Sequence, residues 1–296
     1  MNKRSCSVII VTLLLITGMG TAAQPYLDLV QVNATRSPDA GLWRRNKLQN
    51  SFSHLQGDFT IPLIFKKDSS MLLFCPFTEH WWVDILNTGL PEHYASYGMQ
   101  VTLVKPLSET WTLNAVLAPR FNGLANAAFK NSFQAGGAVL FAYQKKKALT
   151  YKFGVYYNSE FSGPFIMPLL GIDWQVDRKT TIFGILPGSL NIERAPSARL
   201  SYGLAFRAIT NSYSFNPYFL NLPDETDFLR VDENQLGCYA DIYLSKNLVW
   251  NLELGHSVFR RFRAGIVHAK PLYYYNDPMK DGVYCRTGIA YRLRLR

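Results

Sequence analysis

Along most of the chain apolar and polar residues alternate with a period of two. In 132–144 (SFQAGGAVLFAYQ) Phe133, Ala135, Val139, Phe141 and Tyr143 make one face; Gln134, Gly136, Ala138, Leu140, Ala142 and Gln144 make the other. In 149–158 Leu149, Tyr151, Phe153, Val155 and Tyr157 oppose Thr150, Lys152, Gly154, Tyr156 and Asn158, and the intervening KKK reads as the turn of a hairpin. The same sorting recurs in 94–104, 110–120, 198–208, 236–244 and 247–258, and the chain ends on it. In RTGIAYRLRLR (286–296) Ile289, Tyr291, Leu293 and Leu295 alternate with Ala290, Arg292, Arg294 and Arg296. A helix would smear both sets around its circumference, whereas a strand sends successive side chains to opposite faces. The pattern predicts an all-β protein.

A soluble β-sandwich also alternates, but three features point to a membrane barrel. The alternating segments suit the roughly 9–11 residues needed to cross a bilayer better than the ~5–6 usual in globular sheets. Connections alternate between short polar turns (105–110, 145–147, 177–179, 245–247) and longer stretches (77–93, 121–131, 211–232, 259–282). The less apolar faces carry Gly, Ala, Ser, Thr, Gln and paired charges, as an enclosed, wetted lumen would. The expected fold is a transmembrane antiparallel up-and-down β-barrel of 12–14 strands, with short periplasmic turns and longer extracellular loops. Fourteen strands are expected if 27–32 is a strand, and twelve if weak segments such as 189–194 are not. Trp81, Trp82, Trp111, Tyr143, Tyr157, Trp174, Trp250 and Tyr291 near strand ends are the expected interfacial girdles.

The N-terminus changes the address. Lys3 and Arg4, the apolar run Val8–Ile16 and the small residues after it form the pattern of a secretory signal peptide over 1–23, cut after Ala23 or Ala22. The run is short of the roughly 20 residues of a spanning helix. An N-terminal segment, 24–56, then supplies the first strand and, over 33–56, a loop or lumen-entering segment, before a barrel over 57–296. The formal charge of +10 argues for lipopolysaccharide and other outer-membrane lipid as partners of an exported chain, and not for nucleic acid. Cys75, Cys238 and Cys285 remain after the leader; their odd number and wide spacing make neither a disulfide framework nor a zinc site, and they read as wall-packing residues.

In the last segment Arg286, Gly288, Tyr291 and Leu293 fit the spacing polar–x–Gly–x–x–aromatic–x–hydrophobic. That resembles the C-terminal signal recognised by the barrel-assembly machinery of Gram-negative bacteria, in which an exposed final strand pairs edge-on with its receptor. Three residues run past the motif. Farther upstream, YYNSEFSGPFIMPLLGIDWQVDRKTTIFGILPGSLNIER (156–194) and GCYADIYLSKNLVWNLELGHSVFRRFR (237–263) contain a P-x-x-G-x-D-W strand, a following LP bend and a YLSKNL turn. These features resemble an uncharacterised family of outer-membrane β-barrels found mainly in Bacteroidota. The resemblance implies a barrel in the outer membrane and transfers no catalytic residue.

Candidate chemistry is sparse. Barrel lipases and deacylases need His and Ser on one face, yet Ser53–His54 and His256–Ser257 are adjacent and must point oppositely. There is no G-x-S-x-G elbow, no Walker motif and no G-x-G-x-x-G opening a helix. An enzyme is therefore not expected, nor a cofactor. His80 and His93, near Glu79, Asp84 and Glu92, read as solvated loop residues and not as metal ligands. The inward set is richer: Arg120, Lys152, Arg199, Arg207, Arg292 and Arg294 share the expected interior with Asp173, Asp241 and Glu253. These predict a cross-lumen ion-pair network with a cationic surplus, which would favour small anionic or amphipathic solutes in a narrow channel. The other reading is a plugged barrel acting through its extracellular loops, among them LPDETDFLRVDEN in 211–232 and KPLYYYNDPMKD in 259–282.

Overall fold

A computed structural model describes residues 26–38, 51–84, 92–125, 132–215, 227–267, 272–276 and 279–294. The expected leader, Leu295 and Arg296 lie outside the described residues. The strands are β1 (Tyr26–Ser37), β2 (Ser51–Phe59), β3 (Ile61–Phe65), β4 (Ser70–Asp84), β5 (Glu92–Pro106), β6 (Trp111–Leu124), β7 (Phe133–Lys146) and β8 (Leu149–Glu160). They continue as β9 (Gly163–Gln175), β10 (Thr180–Leu186), β11 (Ser189–Ser197), β12 (Leu200–Phe215), β13 (Asp227–Tyr243), β14 (Leu248–Ile266), β15 (Leu272–Tyr275) and β16 (Val283–Arg294).

β2 and β3 are one wall strand. Asp58 pairs with Phe77 and Ile61 with Phe74 in unbroken register; Pro76, beside the gap, has no amide hydrogen to offer. β15 is a short addition to β14. The other strands pair each with the next, β14 pairs with β16, and β1 closes the ring on β16 from Tyr26↔Arg294 to Arg36↔Cys285. The result is a closed antiparallel barrel of fourteen wall strands. Its outward residues form an exposed apolar belt, with Leu117 58%, Ile166 69% and Leu204 55% accessible. A belt of that kind is stable only against hydrocarbon, so the barrel spans a membrane.

One rim carries tight turns and most of the surplus positive charge. Lys66, Lys67, Lys145, Lys146, Lys147, Arg178, Lys179, Arg199 and Lys246 are all exposed there. Asp177 shapes one turn by accepting from the amides of Lys179 at 2.6 Å and Thr180 at 2.8 Å. At the opposite rim parts of the segments expected as long loops are strand. β4 runs to Asp84 and β5 starts at Glu92; β12 runs to Phe215, β13 starts at Asp227, and β14 reaches Ile266. Residues 33–37 and 51–56, expected within a loop or lumen segment, belong to β1 and β2. Two connections at this rim, 161–162 and 187–188, are tight turns.

The upper strands escaped the pattern because their polarity is reversed. In β12–β14 above the apolar belt, Thr210, Arg230, Asp232, Arg261 and Arg263 point outward, while Tyr213, Leu229, Val231 and Phe262 point inward and are buried. Water replaces lipid outside, and packed apolar side chains replace a wet lumen inside.

That packing narrows the barrel. β10 and β11 are short, and β11 leaves β12 at Ser189↔Arg207. The upper edge of β12 crosses to β6, where β7 has ended its pairing at Phe121↔Phe133, and Ser214 bridges Gly123 in parallel. β7–β11 therefore drop out, and β1, β2, β4, β5, β6, β12, β13 and β14 form a tighter collar, in which Arg260 of β14 donates to Ser37 of β1 at 2.8 Å. Phe52, Trp81, Val83, Tyr94, Tyr213, Leu229, Val231, Phe262 and Met279 fill it as a continuous apolar core. Removing each large side chain from water contributes about 1.5–3 kcal/mol. Trp81, expected in a girdle, is fully buried here and stacks on His54 with ring centroids 4.0 Å apart.

Candidate functional site in the barrel lumen

Below the collar the inward positions carry charge in layers. The uppermost layer ties β6–β8 to β12. Arg120 donates to Glu160 at 3.1 Å and to Gln134 at 3.1 Å; Ser212 donates to Glu160, and Gln134 donates to Ser212 Oγ at 2.8 Å. In the next, both guanidinium arms of Arg207 reach Glu253, which also accepts from the Tyr284 hydroxyl at 2.5 Å. Lys152 pairs with Asp173 at 2.5 Å. Nearer the short-turn rim, Arg292 donates to Asp28 at 2.6 Å and 3.0 Å, pairs with Asp241, and lies over the Tyr26 ring at 3.5 Å. Arg294 donates to the Ala198 carbonyl at 2.7 Å and lies 3.7 Å over Tyr243. Such enclosed pairs are held by their mutual geometry and by the extra donors that satisfy remaining lone pairs.

Arg199 does not join this set; β12 begins at Leu200, which leaves Arg199 exposed in the β11–β12 turn. Nor do the inward faces carry a cationic surplus among the described residues. The inward carboxylates Asp28, Asp58, Glu79, Glu160, Asp173, Glu193, Glu233, Asp241 and Glu253 outnumber Arg120, Lys152, Arg207, Arg260, Arg286, Arg292 and Arg294. Sequence reasoning missed several of these acids because they lie on strands with weak apolar faces or in stretches read as loops. Reading the period-two parity of β1, β2, β4 and β13 to their ends would have found them.

Arg286 stands apart. It faces a polar cavity of about 170 Å³ lined also by Arg207, Tyr239, Asp241, Glu253 and Arg292, and it makes no hydrogen bond or ion pair among the described residues. Two positions on, Gly288 lets the wall close tightly, since a Cβ there would sit 2.2 Å from Asn33 Oδ1 and 2.6 Å from the Val32 carbonyl. Gly288, like Arg286, points inward; Ile289 and Tyr291 are exposed on the outer face, on the same side as Leu293.

The family model described as Domain of unknown function (DUF6268) matches residues 84–292. The chain belongs to that family. No curated protein matches the sequence. Among solved structures, the NanC porin is 9% identical with a TM-score of 0.40, covering 89% of this chain and 100% of that one. The toluene transporter TodX of Pseudomonas putida is 8% identical with a TM-score of 0.37, covering 95% and 92%. LpxR from Salmonella typhimurium is 9% identical with a TM-score of 0.35, covering 88% and 99%. Identity this low leaves solute and chemistry to be argued from the residues of the DUF6268 barrel itself.

Those residues bring no Ser–His pair together at the two sites weighed from sequence. Ser53 lies on the outer face while His54 is buried inside; His256 lies outside and Ser257 inside, bonded to the Gly282 amide at 2.8 Å. His80 and His93 are strand residues of β4 and β5, not loop residues. They meet on the outer wall with Nδ1 and Nε2 3.1 Å apart, beside Trp82. Cys238 and Cys285 are exposed on the same wall, and Cys75 faces Asp58 inside.

Proposed function

We propose that this DUF6268 protein is an outer-membrane barrel closed to solute, which works through its outward surface and long-strand rim. One observation carries the reading: apart from Met279, the apolar core of the collar is made of wall-strand residues, from Phe52 and Trp81 across to Tyr213 and Phe262. A plug made of wall side chains cannot swing aside as a loop can; opening it means parting strands. In this reading the leader directs export, the apolar belt meets outer-membrane lipid and lipopolysaccharide, and the assembly machinery recognises β16 through Tyr291 and Leu293.

Recording from the purified barrel in planar bilayers tests it. The expected result is no unitary conductance for the wild type, and small steps once Tyr213→Gly and Phe262→Gly hollow the collar. Steps in the wild type would overturn the reading. A second reading, a narrow channel for small anionic or amphipathic solutes, is favoured by Arg286 in its polar cavity. Under it the wild type conducts, and Arg286→Gln lowers its preference for chloride over potassium.

A further inference from the structure

The outer wall is not uniformly convex. Where β14, β16, β1 and β2 meet, a groove of about 830 Å³ runs over its apolar face, within the roughly 300–1,000 Å³ of small-molecule sites. Its floor is made of small side chains, Ala34, Cys285 and Thr287, and its sides of Leu254 on one flank and Leu55 on the other. The register explains the hollow: Ala34 lies directly between Thr287 and Leu55, and Cys285 beside Leu254. Arg36 occupies the end nearest the long-strand rim. It is exposed, paired in register with Cys285 and Ser53, and has no hydrogen bond or ion pair among the described residues. Trp82, next to Ser53 across the β2–β4 pair, completes that end.

We propose that this groove holds one acyl chain of a phosphate-bearing outer-leaflet lipid, with Arg36 on the phosphate. The inference goes beyond the reading of a closed barrel and stands whether or not the lumen conducts. Geometry and charge both select the occupant. The groove opens sideways into the hydrocarbon belt, which admits a chain already in the bilayer. The cation at its headgroup end makes no hydrogen bond or ion pair among the described residues, and an exposed guanidinium at the edge of hydrocarbon is best satisfied by a phosphate, bidentately. The Ser53 hydroxyl and Trp82 indole supply neutral donors at the same level. Small floor residues leave room for a chain that Leu or Phe would displace.

The test uses the barrel purified from membranes in detergent, incubated with diphosphorylated lipid A or with diacylglycerol, which has acyl chains and no phosphate, and weighed by native mass spectrometry. The wild type is expected to retain one lipid A and to prefer it to diacylglycerol. Arg36→Gln should weaken lipid A retention by about tenfold while leaving diacylglycerol unchanged, since only the charge-assisted contact is lost. Ala34→Phe should abolish retention of both by filling the floor. Heat-modifiable gel mobility reports folding, and Thr287→Leu fills the same floor if Ala34→Phe does not assemble. Equal retention of lipid A by wild type and Arg36→Gln overturns the proposal. So does a dimer mass in the wild type that disappears in the floor-filling variant, because the groove would then belong to a second copy.

Discussion

Among the described residues the collar holds a fully enclosed ion pair, Arg260 with Glu233, and its response to mutation follows from the chemistry of its two partners. Arg260 donates from Nε to Glu233 at 2.7 Å and from Nη2 at 3.2 Å, and Nη2 also reaches Ser37 Oγ at 2.8 Å. The guanidinium lies 4.9 Å from the Phe52 ring centroid, and the Arg260 amide donates to Asp281 at 2.9 Å. Both side chains are 0% exposed. Arg260 faces inward because β14 bulges: the register steps from Asn234↔Val258 to Asp232↔Arg261 across Phe259, whose φ is 57°. That left-handed conformation costs about 1–2 kcal/mol for a residue with a Cβ. Glu233→Leu leaves a cation that cannot shed its proton, at a cost of about 3–5 kcal/mol. Arg260→Met leaves a carboxylate that can neutralise itself by taking a proton, so the loss is smaller, about 1–3 kcal/mol. The double variant replaces the pair by apolar volume and should return close to wild type. With urea slopes of about 1–3 kcal/mol per molar, Glu233→Leu moves the unfolding midpoint down by about 1 M or more. The assay is urea unfolding of the barrel refolded into lipid vesicles, followed by tryptophan fluorescence. A double variant as unstable as Glu233→Leu would refute the coupling, and equal losses for the two single variants would refute the asymmetry.

Three further outcomes are expected. Val139→Arg, outward near the middle of β7, should cost about 2–4 kcal/mol in the same vesicle assay, with no loss meaning that this face is not in hydrocarbon. A Cβ at Gly255 would sit 2.5 Å from the Tyr284 ring and 2.3 Å from the Leu236 carbonyl, whereas at Gly57 its nearest neighbours are 3.9 Å away. Gly255→Ala should therefore destabilise by about 1–3 kcal/mol and Gly57→Ala by almost nothing; equal effects would show that the Tyr284–Glu253 contact does not fix the wall there. Tyr291→Ala should lower the amount of heat-modifiable barrel recovered from outer membranes without changing the vesicle unfolding midpoint, which separates recognition during assembly from stability.

Legibility in the sequence followed solvent contrast. Where lipid lies outside and water inside, as at 132–144 and 149–158, parity was unmistakable, and β7 and β8 lie where alternation put them. The outward positions of Ile289 and Tyr291 were read the same way. Above the membrane the contrast inverts, and a polar residue such as Arg230 marks the outer face of a strand while Leu229 marks the core. Alternation persists there with the opposite sign, which is why 227–232 and 259–266 looked like loop. The lumen was only half legible for a related reason. Inward residues such as Lys152 could be assigned from local parity, but their partners come from other strands: Arg120 meets Glu160 forty positions away, and Arg292 meets Asp28 across the closing seam. Charge counting over a chain cannot see that the surplus lysines and arginines sit in turns while the walls collect carboxylates.

The apolar core of the collar has a structural origin far from the residues that make it. Between tall neighbours the β10–β11 hairpin stops at Leu186 and Ser189, and the last bond it offers β12 is from the Ala208 amide to the Gly188 carbonyl. Above that point β12 has an edge without a neighbour, and an edge in or near a bilayer must find other hydrogen-bond partners. It finds them across the barrel. The Ser212 carbonyl accepts from Asn122 at 3.0 Å, the Phe161 amide donates to Ser212 Oγ at 3.0 Å, and Ser214 donates to the Asn122 carbonyl at 3.1 Å. Leaning inward to make these bonds, β12 carries Tyr213 to Tyr94, ring centroids 5.6 Å apart, and brings β13 with it. The apolar core thus sits where the short hairpin has ended, at the level at which β12 closes on β6 instead of on β11.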